Sequence, residues 1–556
     1  MQKLQIFVYK IKGNWEAGLV RNPEHLPALG LAAAQDAAVV TPPLPSSQAY
    51  QALAVWKRRI QSPLGRLRRR LVSRPDERLP RAAESSLEET DEALGIRLCE
   101  LLAGRIVPEH RLVGVLRDEG FWPSQISRAL DRAVFRGEII QLPGFTARPW
   151  GEQACSRCGS TRARALPCPR CGGLECLLCL ECSSLGEHRG CSTLLAVPGS
   201  AASAALGEAA LVLDYELTPA QQAASLELVD FWEQRQERAL VWAACGAGKT
   251  EVTFALIQRA LEEGAEVLFA IPRQDIVREM AQRLRSAFPE VEVAAHFGGQ
   301  PWLAPGRLVV ATTHQVLHFY QRFGLAILDE VDAFPYQGSE MLRFGLQRAL
   351  HPQGQLVEMT ATPTGPRPQR VITIPARHHG HPLPEPQIIV EKLPPWPELT
   401  GAALPPAVVD SLAGSEHPWL VFAPTIAACT ALEQVLAQAL TRKVGLCHAK
   451  LEGRRRVVDE FRRGLLDVLV TTSVLERGVN FPGVGVMVLY ADHSLFSVSA
   501  LVQMAGRVGR SADAPSGPVL FVAAKRTPAM REASALIRQL NEEAERRGLL
   551  TGAGTE

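Results

Sequence analysis

The chain has 556 residues, of which 46% are hydrophobic and 21% charged, with a formal net charge of +2. That length leaves room for three or four ordinary globular domains, and the near balance of charge excludes a uniformly basic nucleic-acid binder, so any such contact must come from local patches. No run approaches the roughly 18 apolar residues of a membrane-spanning helix, and Met1-Gln2-Lys3-Leu4-Gln5 does not begin a signal peptide; the expectation is a cytoplasmic chain with reduced thiols.

Residues 1–150 form an N-terminal region. Lys57-Arg58-Arg59, Arg66, Arg68-Arg69-Arg70 and Arg74 place eight basic residues and no acid in eighteen positions. Such a run suits phosphates or an anionic membrane surface, and equally a solvated helix face. Within 104–146, Arg111 to Leu116 and Ile126 to Val134 read as two short helices around Pro123-Ser124, and Glu138 to Leu142 reads as a strand. Helix, turn, helix and strand in that order suggest a winged-helix-like unit.

Residues 151–195 carry Cys155, Cys158, Cys168, Cys171, Cys176, Cys179 and Cys182, with His188 and Cys191 behind them. In a reducing compartment this density points to a metal, Zn²⁺ above all, held by thiolates. Two similar knuckles, Cys155-Ser-Arg-Cys158-Gly and Cys168-Pro-Arg-Cys171-Gly, make the clearest internal pairing.

Residues 205–385 carry a nucleotide-binding signature. Ala239-Leu240-Val241-Trp242 reads as a buried strand, Ala243-Ala244-Cys245-Gly246-Ala247-Gly248-Lys249-Thr250 as a phosphate loop, and Glu251 to Glu262 as the helix that follows. Lys249 would reach the terminal phosphates of ATP and Thr250 would meet Mg²⁺. The apolar run Ala326-Ile327-Leu328 ends in Asp329-Glu330-Val331-Asp332, which puts two carboxylates at the carboxyl end of a strand: Asp329 for Mg²⁺, Glu330 for the attacking water. Ten prolines between Pro363 and Pro397 mark a linker without long regular elements. His378-His379-Gly380-His381, inside it, reads as a solvated loop. In residues 386–556, Arg507 and Arg510 are three apart, so a helix would turn both guanidinium groups to one side, toward a γ-phosphate on another lobe.

In order along the chain, these strings resemble superfamily-two helicases and translocases. The match runs from Leu217-Thr218-Pro219-Ala220-Gln221 through the phosphate loop, Ile271-Pro272-Arg273, Ala311-Thr312-Thr313-His314-Gln315, Asp329-Glu330-Val331-Asp332 and Thr360-Ala361-Thr362-Pro363. It continues through Phe422-Ala423-Pro424-Thr425, Thr471-Thr472, Leu475-Glu476-Arg477-Gly478-Val479 and Gln503-Met504-Ala505-Gly506-Arg507-Val508-Gly509-Arg510. Within that superfamily the details look like the ComFA-type competence translocases, which are similar to PriA-type restart helicases.

The resemblance implies an α/β fold of two RecA-like lobes behind a zinc-binding cysteine module. It also implies ATP hydrolysis that drives single-stranded DNA through a membrane uptake channel; unwinding of duplex DNA at stalled replication is the alternative. It implies ATP contacts from Gln221 (near the adenine), Ala244, Cys245, Gly246, Ala247, Gly248, Glu251 and Gly478. DNA contacts would come from Pro272, Arg273, Thr312, Thr313, Thr472 and Arg477. The family's cysteine pattern maps the metal onto Cys155, Cys158, Cys179 and Cys182, leaving Cys168, Cys171 and Cys176 to build a second site with His188 or Cys191.

Overall fold

In a computed structural model of the protein, the structure describes residues 3–11, 14–21, 37–41, 44–61, 85–149, 151–199, 209–299, 304–363, 365–399, 404–476 and 481–551. Arg477 and Gly478 lie outside these residues, as does the basic run from Arg66 to Arg74.

Short apolar runs build the first lobe. Val267–Ile271, Leu308–Thr312 and Phe323–Leu328 are buried almost throughout, as strands must be when helices cover both faces of a parallel sheet. With Val293–His296, Leu350–Thr360, Arg238–Ala243 and Arg370–Ile374 they make a seven-stranded sheet. Its order is 293–296, 308–312, 267–271, 323–328, 350–360, 238–243 and 370–374, with every neighbour parallel. Helix Gln274–Ala287 shows how the cover is made: Val277, Met280, Ala281 and Leu284 repeat at helical spacing and are buried, while the other face is charged.

The second lobe repeats the plan with six parallel strands, ordered 387–390, 519–523, 485–489, 419–422, 468–471 and 444–447. One apolar core runs through both lobes, from Val241 and Phe269 to Phe422, Leu501 and Phe521. These are two RecA-like lobes; the carboxyl strand ends of the first and the helix Val498–Ala505 of the second meet at one cleft.

Upstream, helix Ser85–Leu102, strand Arg105–Pro108, helices Glu109–Asp118 and Pro123–Phe135 and strand Ile140–Pro143 follow one another. The third strand of their antiparallel sheet is Thr193–Val197, which lies between the other two. This is the winged-helix order, with the cysteine-rich segment inserted before the last strand. Thr193–Val197 thus follows the cysteine-rich segment in sequence and pairs with strands that precede it. A sheet of Lys3–Ile11, Asn14–Val20 and Ala37–Val39 docks alongside through Arg21, whose guanidinium pairs with Glu109 at 3.0 Å and with Asp131.

Candidate active site

The strand Arg238–Ala243 delivers the phosphate loop to the sheet's carboxyl edge. Two of its residues turn left-handed, Gly246 at φ +86° and Gly248 at φ +69°, where a side chain is strained. A Cβ on Gly248 would also stand 2.1 Å from the Gln221 side-chain nitrogen. Gln221 is locked there by a reciprocal cap: the Thr218 backbone N–H donates to its side-chain oxygen at 2.9 Å, and its own N–H donates to the Thr218 hydroxyl at 3.3 Å. Its amide nitrogen then donates to the Ala247 carbonyl at 3.0 Å. Gln221 thus lines the cleft but spends its amide as a brace under the loop.

Lys249 Nζ stands 3.1 Å from Asp329 Oδ1. Burial pushes the Asp329 carboxyl above the usual range, against the pull of the Lys249 ammonium, and the neighbouring Glu330 adds to the rise. The Glu330 N–H donates to Asp329 Oδ1 at 2.8 Å from a left-handed backbone, φ +55°. Asp332 is more deeply tied. Thr360 and Thr362 donate their hydroxyls to its two oxygens at 2.8 and 3.0 Å, and Ser499 of the second lobe donates to it as well.

The second lobe closes the site with helix Val498–Ala505 and the turn behind it. Here the expectation is corrected: the helix stops at Ala505, so Arg507 sits in the turn 506–509 and Arg510 just behind it, and neither is on a helical face. Gly509, at φ +66°, would drive a Cβ into the Pro515 carbonyl at 2.1 Å, which fixes the path of that turn. Arg507 is 2% exposed and donates from Nε and Nη2 to the Glu476 carbonyl at 2.9 and 2.6 Å; burial pulls its pKa well down. Arg510 Nε donates to the Gly506 carbonyl at 3.0 Å. Gly506 itself rests on the phosphate loop, since a Cβ there would meet Cys245 Cβ at 2.5 Å, and Cys245 Sγ lies 3.6 Å from Gln503 Oε1.

The histidine run does more than the sequence implies. It is a loop with His378 exposed, but it also acts as a strap: His378 Nδ1 is 3.0 Å from the Gly246 carbonyl, and His379 Nε2 is 3.0 Å from the Gly509 carbonyl, which Arg377 also engages. One short segment therefore touches the phosphate loop and the arginine turn together. Its clustering of imidazoles was visible in the sequence, but only tertiary structure shows what they face.

A cleft of about 760 Å³ results, lined by Gln221, residues 243–251, Asp329, Glu330, Arg507 and Arg510. Unanticipated neighbours are Tyr215, His378, Gln503 and Arg283, the last paired with Glu251. A larger hollow of about 1150 Å³, beside Glu237, Glu266 and Arg322, opens at the opposite, amino edge of the first sheet. Open α/β sheets bind ligands at the carboxyl edge, so the smaller cleft is the site.

Of the residues expected on DNA, Pro272 and Arg273 follow strand Val267–Ile271 and Arg273 is half-buried, pairing with Asp275 at 3.3 Å. Thr312 and Thr313 are 8% and 2% exposed, so their side chains are turned into the lobe in this arrangement. Thr472 is half-buried behind strand Val468–Thr471.

The cysteines sort into two groups of four, Cys155 with Cys158, Cys179 and Cys182, and Cys168 with Cys171, Cys176 and Cys191. The pairing of the two look-alike knuckles in one site is thereby overturned. In the first group, sulfurs are 3.8 Å (Cys155 to Cys182) and 3.5 Å (Cys158 to Cys179) apart, close to the about 3.8 Å that a tetrahedral thiolate site with 2.3 Å bonds requires. The buried Arg157 donates to Cys182 Sγ at 3.1 and 3.2 Å, offsetting thiolate charge. The group packs into the first lobe: a Cβ on Gly159 would meet Phe344 at 2.7 Å, and Arg348 donates to the Ser156 carbonyl at 2.9 Å.

Residues 214–365 match the family described as "Type III restriction enzyme, res subunit", and residues 404–512 match "Helicase conserved C-terminal domain". "Competence protein ComFA" of Bacillus subtilis (strain 168) is 35% identical over 408 residues, spanning 70% of this chain and 85% of that protein. The Streptococcus pneumoniae (strain ATCC BAA-255 / R6) protein of the same name is 34% identical over 413 residues, 71% of this chain and 91% of its own. "ATP-dependent DNA helicase RecG" of Streptococcus pneumoniae serotype 4 (strain ATCC BAA-334 / TIGR4) is 26% identical over 340 residues, 54% of this chain and 47% of that protein. With its two lobes, its ordered motifs and these relatives, the chain is an ATP-hydrolysing motor of the superfamily-two helicase and translocase class and belongs to the ComFA family of competence proteins.

Proposed function

We propose that the chain is an ATP-driven translocase of single-stranded DNA that draws transforming DNA into the cytoplasm, working against a membrane uptake channel. The observation that carries this reading is the convergence of Lys249, Thr250, Asp329 and Glu330 from one lobe and Arg507 and Arg510 from the other on one cleft. Lys249 neutralises the terminal phosphates, Glu330 orients the attacking water and takes its proton, and the two arginines stabilise charge in the transition state. Asp329 and Thr250 would hold Mg²⁺, which supplies positive charge against the phosphates. Gly478 completes the nucleotide site, and Pro272, Arg273, Thr312, Thr313, Thr472 and Arg477 form the DNA track, contacting backbone and not base edges. For the two buried threonines this requires the lobes to rearrange. Zn²⁺ at Cys155, Cys158, Cys179 and Cys182 would fix the module to the first lobe.

The test is the ATPase rate with and without single-stranded DNA. Stimulation by DNA, abolition by Lys249→Ala and a drop of about 10³ in Arg507→Ala are expected. Equal rates with and without DNA overturn the motor reading, and efficient separation of a duplex would favour the restart-helicase alternative.

A further inference from the structure

Half of the cysteine module is left over once the first group is assembled. We propose that Cys168, Cys171, Cys176 and Cys191 hold a second zinc ion, and that this ion rivets the cysteine module to the winged-helix-like unit.

The four sulfurs lie within 4.8 Å of one another, and Cys168 Sγ is 3.7 Å from Cys191 Sγ. That spacing is what tetrahedral thiolates with bonds near 2.3 Å require, and it is nearly twice a disulfide length of about 2.05 Å. The local backbone repeats that of the first site. There, the Gly159 N–H donates to the Cys155 carbonyl at 2.7 Å and the Cys155 N–H to Ser160 at 2.9 Å; here, the Gly172 N–H donates to the Cys168 carbonyl at 2.8 Å and the Cys168 N–H to Gly173 at 2.9 Å. Both glycines are left-handed, at φ +74° and +70°. Two knuckles of one geometry each present two sulfurs.

The other ligands interlock the sites. The strand Cys176–Cys179 pairs with Ala163–Leu166, and its end residues are three apart, so they face opposite sides of the hairpin. Cys179 serves the first site and Cys176 the second. Cys191 stands two residues before Thr193–Val197, the middle strand of the winged-helix sheet. A cavity of about 310 Å³ at this seam is lined by Cys171, Cys191 and Arg170 on one side and by Glu109 and His110 on the other. His188 lies outside both sulfur groups, and its Nε2 stands 2.9 Å from the Gly144 carbonyl. The second ion therefore joins the hairpin to the strand that closes the upstream unit, while the first site meets the motor by packing, through Phe344 and Arg348. This inference does not depend on the motor's direction or substrate.

Elemental analysis of the full-length protein should give two zinc ions per chain, and X-ray absorption at the zinc edge should show sulfur neighbours alone. Cys171→Ser and Cys191→Ser should each bring the content to one, and His188→Ala should leave it at two. One zinc per unmodified chain, a nitrogen neighbour, or two ions retained in both serine variants would overturn the site, and the measurements on unmodified protein need no variant to fold. In Cys191→Ser, amide exchange in Arg105–Pro108 and Thr193–Val197 should speed up at least tenfold while binding of an ATP analogue stays unchanged. Unchanged exchange would overturn the rivet.

Discussion

At Gly248 a single hydrogen in place of a methyl keeps the phosphate loop in shape. Its backbone is left-handed and its open side is occupied by the Gln221 amide. Gly248→Ala should therefore abolish binding of a fluorescent ATP analogue. Gln221→Ala should be milder: it leaves the Ala247 carbonyl buried without its donor, a cost of about 1–3 kcal/mol, or about 5- to 150-fold if all of it falls on affinity. Because the same substitution empties the space a Cβ would enter, the double variant should bind better than Gly248→Ala alone; failure of that rescue would place the damage in backbone strain and not in the clash. A second residue reports on pH. His296, at the end of a first-lobe strand and edge-on to Phe319 at 5.4 Å, is held down to about 4 by burial and then by Arg322 and Arg105. The folded chain keeps it neutral where the unfolded chain, with a value near 6.5, has already taken up a proton. Stability is thus full above pH 6.5 and falls as pH drops toward 4, by about 1.4 kcal/mol per pH unit for each such proton. His296→Gln should flatten the pH dependence of the melting temperature across that window.

Helix Val498–Ala505 shows what one element contributes. Ser497 caps it by accepting from the Ala500 N–H at 3.2 Å, Ser499 reaches Asp332, and Gln503 and Gly506 lie on Cys245. Its face is therefore one contact between the second lobe and the phosphate loop. Gly506→Val should hold the lobes apart: analogue binding to the first lobe should survive within a few-fold, while DNA-stimulated turnover should fall by about 10³, as if an arginine finger were lost. Full turnover in that variant would remove this contact from the working cycle. The same helix marks how far sequence reading reaches. Lys249, Asp329, Glu330, Arg507 and Arg510 were legible because phosphate and carboxylate chemistry demands particular residues at short, fixed spacings, and all five line one cleft. Two sheet strands were legible from the uninterrupted apolar runs Ala239-Leu240-Val241-Trp242 and Ala326-Ile327-Leu328, which lie in strands Arg238–Ala243 and Phe323–Leu328. The helix end at Ala505 was misread because a three-residue spacing says nothing about where the helix stops. Cysteine grouping was open for a related reason: the two knuckles are alike in sequence, and only pairing of Cys176–Cys179 with Ala163–Leu166 sends neighbouring sulfurs to different sites. The strap of His378 and His379 was missed because its partners are backbone carbonyls more than a hundred residues away, which no side-chain pattern records.

Across the whole molecule, several side-chain contacts between the two lobes pass beside the nucleotide cleft: Ser499 to Asp332, Gln503 to Cys245, and the strap from Gly246 to Gly509. A motor that moves DNA by opening and closing must link nucleotide binding to lobe position, and by reciprocity nucleotide then changes DNA affinity by the same factor that DNA changes nucleotide affinity, typically about 5–150-fold. The strap is suited to carry part of that coupling, because His378 touches the phosphate loop while Arg377 and His379 hold the arginine turn, so a shift of either end is felt by the other. His378→Ala should therefore leave DNA binding without nucleotide unchanged and shrink the enhancement produced by a non-hydrolysable ATP analogue toward one. Titrating labelled single strands over a series of salt concentrations separates this from a lost DNA contact. Each phosphate neutralised contributes about −0.7 to the slope of log affinity against log salt for single strands, so a residue that acts only between the lobes must leave the nucleotide-free slope in place. A smaller slope would put His378 on the DNA track, and an enhancement equal to that of the unmodified chain would show that the strap is passive.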